Sequence, residues 1–279
     1  MFADAIASEF YKLWRNRSTW FWGFCFAPLI ALALGLGADY FMAKFKQGPM
    51  LSVDMANSTV NAVAGAASPL TLLFVLIAAA VLFAGEYRWE TWRLLAPRNS
   101  RLNLMLAKLG VFAVGCVFTI LAIALANLIS VLAGSAMTHA AVTWTGTPGS
   151  SFILSLLKQF AITWAQLLQA GAVVALAAVL TRSILGSVMI PLVIGVVQAI
   201  VTGSPQPGAD PMHPAVWRML ALPDLGVKFL RVFLDPGQAP QVTIDPGVAA
   251  QAAISLVGWI VIAFAVALTA FQRQDLAKE

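Results

Sequence analysis

Ser155, Gln159, Thr163 and Gln166 recur at steps of four, four and three residues, and Gln169 continues the series. At helical pitch this spacing sets the polar side chains along one stripe of an otherwise apolar run. Amides facing lipid are costly, so the stripe must face protein or water. Two uses stay open for Gln159, Thr163, Gln166 and Gln169: lining a translocation cavity, or hydrogen bonding between helices. Asn127 and Gln198, in neighbouring apolar runs, are open to the same two uses.

A denser group spans 83–101, which reads FAGEYRWETWRLLAPRNSR. Glu86 stands where an apolar run ends, four residues before Glu90, and Trp89, Trp92 and Arg93 fall on neighbouring turns. Pro97 stops a helix here, and Asn99 or Ser100 can cap the next one, which starts at Arg101. The pattern predicts a short aromatic and basic helix held along the membrane face by two spans. Such an element can carry force from a cytosolic partner into the membrane. The plainer alternative is an ordinary basic loop with interfacial tryptophans.

Motifs for catalysis are missing. There is no H-E-x-x-H, G-x-S-x-G or G-x-x-x-x-G-K-[ST]. His139 and His213 are the only histidines and lack the carboxylates of a zinc site. Cys25 and Cys116 each fall inside an apolar run, which argues against a disulfide framework. No carboxylate sits mid-span, so an ion-coupled relay is not evident. The chain is therefore expected to be no enzyme by itself, to hold no metal or cofactor, and to draw energy from elsewhere.

The elements that position these groups follow from composition. Of 279 residues, 60% are hydrophobic and 10% charged, and the mean hydropathy is +0.85, whereas a soluble domain carries about 25% charged residues. An integral membrane protein is implied, and no stripe of basic residues points to nucleic acid. Six continuous apolar runs are long enough to cross roughly 30 Å of hydrocarbon as helices, at about 19–37, 69–85, 105–133, 152–180, 184–201 and 252–271. The expected architecture is an all-α membrane protein with a single transmembrane domain over 1–279.

Orientation follows from the basic residues, which are retained on the cytoplasmic side. With the N-terminus inside, eleven of them fall on the inner side (Lys12, Arg15, Arg17, Arg88, Arg93, Arg98, Arg101, Lys108, Arg182, Arg273 and Lys278). Six fall on the outer side: Lys44, Lys46, Lys158, Arg218, Lys228 and Arg231. The acidic residues divide six and six, so the whole excess of five lies inside and both termini are expected in the cytoplasm.

Within 1–18, Phe2, Ile6, Phe10, Leu13 and Trp14 recur at helical spacing opposite Ser8, Glu9, Lys12, Arg15 and Asn16, an amphipathic helix in the inner interface. The outer segment 202–251 holds eight of the 14 prolines, yet Trp217, Leu220, Leu225, Phe229 and Val232 keep helical spacing. Two short amphipathic helices hinged at Pro223 are predicted on the outer face, with Asp224 in the first turn of the second. Lys158, near the outer end of its span, is expected to snorkel, and Pro191 to bend the fifth span.

This layout resembles the permease subunits of ABC transporters of the ABC-2 type: a basic amphipathic N-terminal helix, six spans, a long outer segment before the last, and a Glu at the end of span two followed by Thr91, Leu94, Leu95, Pro97, Ser100 and Arg101. Glu90-Thr91 stands here where that family commonly has Gly-Thr. The resemblance implies that the loop 86–104 is a coupling helix that docks on a separate ATPase subunit through Glu86, Arg88, Glu90, Thr91, Trp92, Arg93, Leu94, Leu95, Pro97, Arg98 and Arg101. It implies two permease copies with two ATPase subunits, ATP and Mg on those subunits, export across a bacterial cytoplasmic (inner) membrane, and room for an accessory outer-face protein. The alternatives are an ion-coupled carrier or channel, or a membrane scaffold for an outer partner.

Overall fold

The computed structural model describes residues 2–45, 52–88, 92, 99–145, 151–203, 214–235 and 244–274. Continuous apolar runs with few interruptions fold as helices, because a helix satisfies its own backbone in hydrocarbon. An amphipathic helix, α1 (Phe2–Arg15), precedes the first membrane-length helix, α2 (Arg17–Phe45). The remaining five are α4 (Pro69–Arg88), α5 (Arg101–Thr138), α6 (Phe152–Thr181), α7 (Ile184–Gly203) and α10 (Pro246–Arg273). All six are long and apolar enough to span a membrane, so the chain is a multi-pass membrane protein.

Several helices outrun their apolar cores. The first span is expected at 19–37 but continues to Phe45, and the third begins at Arg101 and ends at Thr138 instead of covering 105–133. Ser100 caps that third helix by accepting from the Asn103 N–H at 3.2 Å, as its sequence position predicts. Arg182, in the left-handed conformation at φ 53°, closes the tight turn between α6 and α7. Two features are absent from the sequence expectations. A helix, α3 (Met55–Gly65), lies in the segment after span one, and β1 (Val53–Asp54) pairs in parallel with β2 (Val142–Thr143).

The expected hinged pair is present as α8 (Val216–Ala221) and α9 (Pro223–Leu234), with Pro223 opening the second and Asp224 in its first turn. α9 packs along α10 and against α6, burying Gly226 and Val227.

α6 is the centre of the bundle. Its apolar window is 67% buried, against 22% for α2 and 17% for α7, which stand at the periphery. α6 packs most extensively on α10, and also on α4, α7, α3 and α5. Phe112 of α5 is fully buried where Gly171 of α6 leaves room for its ring. Gly115 does the same for Phe24 of α2. Both glycines serve close approach: a Cβ at either would overlap the facing ring.

Candidate functional site

At the end of the bundle where α1, the C-terminus of α4 and the N-terminus of α5 meet, four charges form one network. Lys108 of α5 donates to Glu9 Oε2 at 2.9 Å, to the Leu82 carbonyl at 2.8 Å and to Glu86 Oε1 at 3.2 Å. Lys12 donates to Glu9 Oε1 at 2.6 Å and Glu86 Oε1 at 2.8 Å. Burial pulls the Lys12 ammonium down, but its bonds to Glu86 and Glu9 outweigh this and hold it above the ordinary lysine value.

This corrects two expectations. Glu9 is read from sequence as part of the solvent face of α1, yet it is 1% exposed; Ala5, Glu9 and Leu13 are the residues of α1 that face the bundle. Phe2, Phe10 and Trp14 point outward instead. Lys108, counted among the inner-loop charges, is 1% exposed inside α5. The helix turns by about 100° per residue, and the buried carboxylate at i+4 from Ala5 is held by Lys12 of its own helix and by the ammonium of Lys108, which comes from α5. A pattern within α1 alone could not disclose Lys108.

The same end holds the base of the 86–104 loop. Trp92 is buried, its ring 4.5 Å from Phe271 and 5.8 Å from Tyr87 between centroids, and the Lys108 ammonium lies 5.4 Å from its centre. Arg101 Nη1 donates to the carbonyls of Phe271, Gln272 and Gln274 at 2.7 to 2.9 Å, so a cation closes the C-terminus of α10. Gln274 in turn accepts from the Tyr87 hydroxyl at 2.9 Å and donates to the Val179 carbonyl of α6 at 2.7 Å. Five helices thus converge on the two ends of this loop. Arg88 is exposed at the end of α4. Glu90, Thr91, Arg93, Leu94, Leu95, Pro97 and Arg98 lie outside the described residues, as does the helical conformation expected for them.

On the opposite half, the α6 stripe meets α9. Arg231 donates through Nη1 to Gln159 Oε1 at 2.9 Å and through Nη2 to Thr163 Oγ1 at 3.0 Å and Gln166 Oε1 at 3.2 Å. The Thr163 hydroxyl itself donates to the Val63 carbonyl at 2.9 Å. Burial pulls the Arg231 guanidinium down to about 10, which leaves it charged near neutrality. Lys158 donates to the Leu234 carbonyl at 2.6 Å and closes the C-terminus of α9.

The stripe therefore divides. Gln159 and Thr163 are buried and engaged by Arg231, the interhelical use. Gln166 and Gln169 line a cleft of about 190 Å³ between α4, α6, α7 and the start of α9, together with Gln198, Pro191 and Asp224. Asn127 does not line the cleft and accepts from the Ser58 hydroxyl of α3 at 3.2 Å. Arg231 and Asp224 were missed as partners of the stripe; the helical spacing of α9 and the charge on its inner side were the available signals.

Among the described residues no group of histidines, cysteines and carboxylates could hold a metal ion. No curated protein matches the chain in sequence. The model of the family described as ABC-2 family transporter protein matches residues 5–198, which takes in α1, the charge network, the loop and the α6 stripe. With this match over more than half its length, the chain belongs to the ABC-2 transporter family and is a membrane permease subunit of an ABC transporter.

Proposed function

We propose that two copies of this chain form a translocation pathway worked by two separate ATPase subunits, which bind the ATP and Mg, and that the loop 86–104 is where those subunits dock. The observation that carries this is the seating of the loop. Trp92 and Arg101 tie it to the C-terminus of α10, and Glu86 ties it through Lys108 and Lys12 to α1. A displacement applied at the loop reaches α1, α4, α5, α6 and α10 together, because packed helices move as bodies. Glu90, Thr91, Arg93, Leu94, Leu95, Pro97 and Arg98 are then the face offered to the ATPase, with Arg88 at its edge, while Glu86, Trp92 and Arg101 position it.

In this assignment the loop end and both termini are cytoplasmic, as the charge asymmetry favours, in a bacterial inner membrane, and cargo moves outward. Export follows the family resemblance. The thinly buried α2 and α7 leave apolar faces for the second copy, and α3, α8 and α9 offer ground for an accessory outer-face protein. The pathway lining is Gln166 and Gln169 of the cleft.

The test is affinity purification in mild detergent with mass spectrometry of the intact complex. Two copies of the chain with two of a soluble P-loop subunit are expected. The double substitution Leu94→Asp with Leu95→Asp should abolish stimulation of that subunit's ATPase while the permease stays inserted. Normal stimulation in that variant would refute the docking role of the loop.

A further inference from the structure

The cleft beside α9 carries polar groups that nothing in the protein uses. Gln169 and Gln198 are 8% and 7% exposed, come from two different helices, and both line it. Among the described residues neither amide has a hydrogen-bond partner. Neither is among the side chains whose polar atoms are sealed away from the surface, so both amides stay reachable from the cleft and free to bond something that enters it.

The third polar wall is Asp224. It is half-buried, and its carboxylate accepts one hydrogen bond, from Gln166 Nε2 at 3.3 Å. A carboxylate offers about four lone-pair positions, so acceptor capacity remains. Among the described residues no Lys or Arg pairs with it. Arg231, the nearby cation, is committed to Gln159, Thr163 and Gln166 and does not line the cleft. Its bond to Gln166 Oε1 holds that amide with its NH₂ toward Asp224. The remaining walls are aliphatic, including Leu72 and Leu76.

We propose that this cleft binds the primary ammonium end of an amphiphilic molecule. An ammonium carries three donors and no acceptor, and Asp224, Gln169 and Gln198 provide three acceptor side chains beside apolar walls. The volume falls short of the ~300 Å³ at which pockets for drug-sized ligands begin. It admits the charged head and a short apolar stretch, with the rest of the molecule outside. This rests on the permease assignment for the meaning of the ligand as cargo, but the binding itself needs neither ATPase nor a second copy.

The experiment is calorimetric titration of the full chain in nanodiscs of phosphatidylcholine and phosphatidylglycerol. The probes are phenethylammonium, neutral 2-phenylethanol and anionic 3-phenylpropanoate. Phenethylammonium should bind at least tenfold more tightly than either of the others, and Asp224→Asn should remove that preference. Gln198→Leu breaks no internal hydrogen bond, so it should fold as the parent does and still weaken the ammonium at least fivefold. Equal affinity for the three probes, or unchanged affinity in either folded variant, overturns the proposal. Adding phosphatidylethanolamine separates the sources of the ammonium: competition assigns it to a membrane lipid, and undiminished binding to a free cargo. Failure here leaves co-purification with an ATPase untouched, and failure of co-purification leaves this binding untouched.

Discussion

Lys108 Nζ stands 2.9 Å from Glu9 Oε2 with both side chains about 2% exposed, joining the N-terminal helix to the interior of the third span. Buried pairs add little over an apolar pair of the same shape, but stripping one partner leaves an uncompensated charge at about 3–5 kcal/mol. Glu9→Ala should therefore lower the melting temperature sharply, since Lys108 keeps only the Leu82 carbonyl and a 3.2 Å contact to Glu86 shared with Lys12. Glu9→Leu combined with Lys108→Met should recover much of that loss. A double variant no more stable than Glu9→Ala would mean the pair acts through something other than mutual neutralisation.

Arg101 separates stability from coupling. It reaches three carbonyls at the end of α10 from one guanidinium nitrogen, and its charge lies 5.5 Å from the centre of the Phe271 ring. Arg101→Lys keeps the charge but loses the planar fork. ATPase stimulation should fall several-fold with a melting temperature within a few degrees of the parent. Stimulation at the parental level would show that the clamp does not transmit motion.

Arg231 makes an outer-half counterpart. Arg231→Met removes the donor shared by Gln159, Thr163 and Gln166 and leaves buried acceptors without it, which costs about 1–3 kcal/mol for each group left unsatisfied. Trypsin should then cut after Lys228 of α9 faster than in the parent. Equal cleavage rates would assign the docking of α9 to its apolar contacts alone.

Much of this was open to inspection in the sequence, and the rest was hidden for a physical reason. Spans are set by local composition, so six apolar runs gave six helices, and Ser100 and Pro223 marked boundaries by their own backbone chemistry. The polar stripe was visible by spacing, but its partner was not, because Arg231 arrives from 65 to 72 residues away. Glu9 was assigned to the wrong face for the same reason: a polar residue on an amphipathic helix looks solvated until Lys108, 99 residues on, is folded against it. Local periodicity reports which face is unlike the other, and only tertiary packing decides where each face points.

Asp54 ties α3 to β2. Its carboxylate accepts from the Thr145 hydroxyl at 2.6 Å and from the Ala56, Asn57 and Thr145 amides, and the Thr145 bond above all holds it below the usual carboxylate range. A group whose pKa is depressed on folding stabilises the fold above its unfolded value, near 3.9, and loses that contribution as pH falls through the folded value. Amide exchange at Ala56 and Thr145 should accelerate relative to the bundle core as pH drops below about 4. Asp54→Asn should exchange fast at every pH and remove the acid dependence. An acid dependence retained in that variant would move its origin to another group.

The last prediction concerns the centre of the bundle. Phe112 is fully buried, and a Cβ at Gly171 would overlap its ring, so α5 and α6 approach only because residue 171 has no side chain. Overpacking a core by one methyl costs about 1–3 kcal/mol, and in a membrane small residues at helix contacts are what allow close packing. Gly171→Ala should lower the melting temperature by several degrees, whereas Gly195→Ala, whose Cβ would meet no atom within 4 Å, should change it little. Phe112→Leu vacates ring volume on the facing helix, so Gly171→Ala with Phe112→Leu should be more stable than the sum of the two single changes predicts. Strict additivity in that cycle would show that the two residues are not in contact in the membrane.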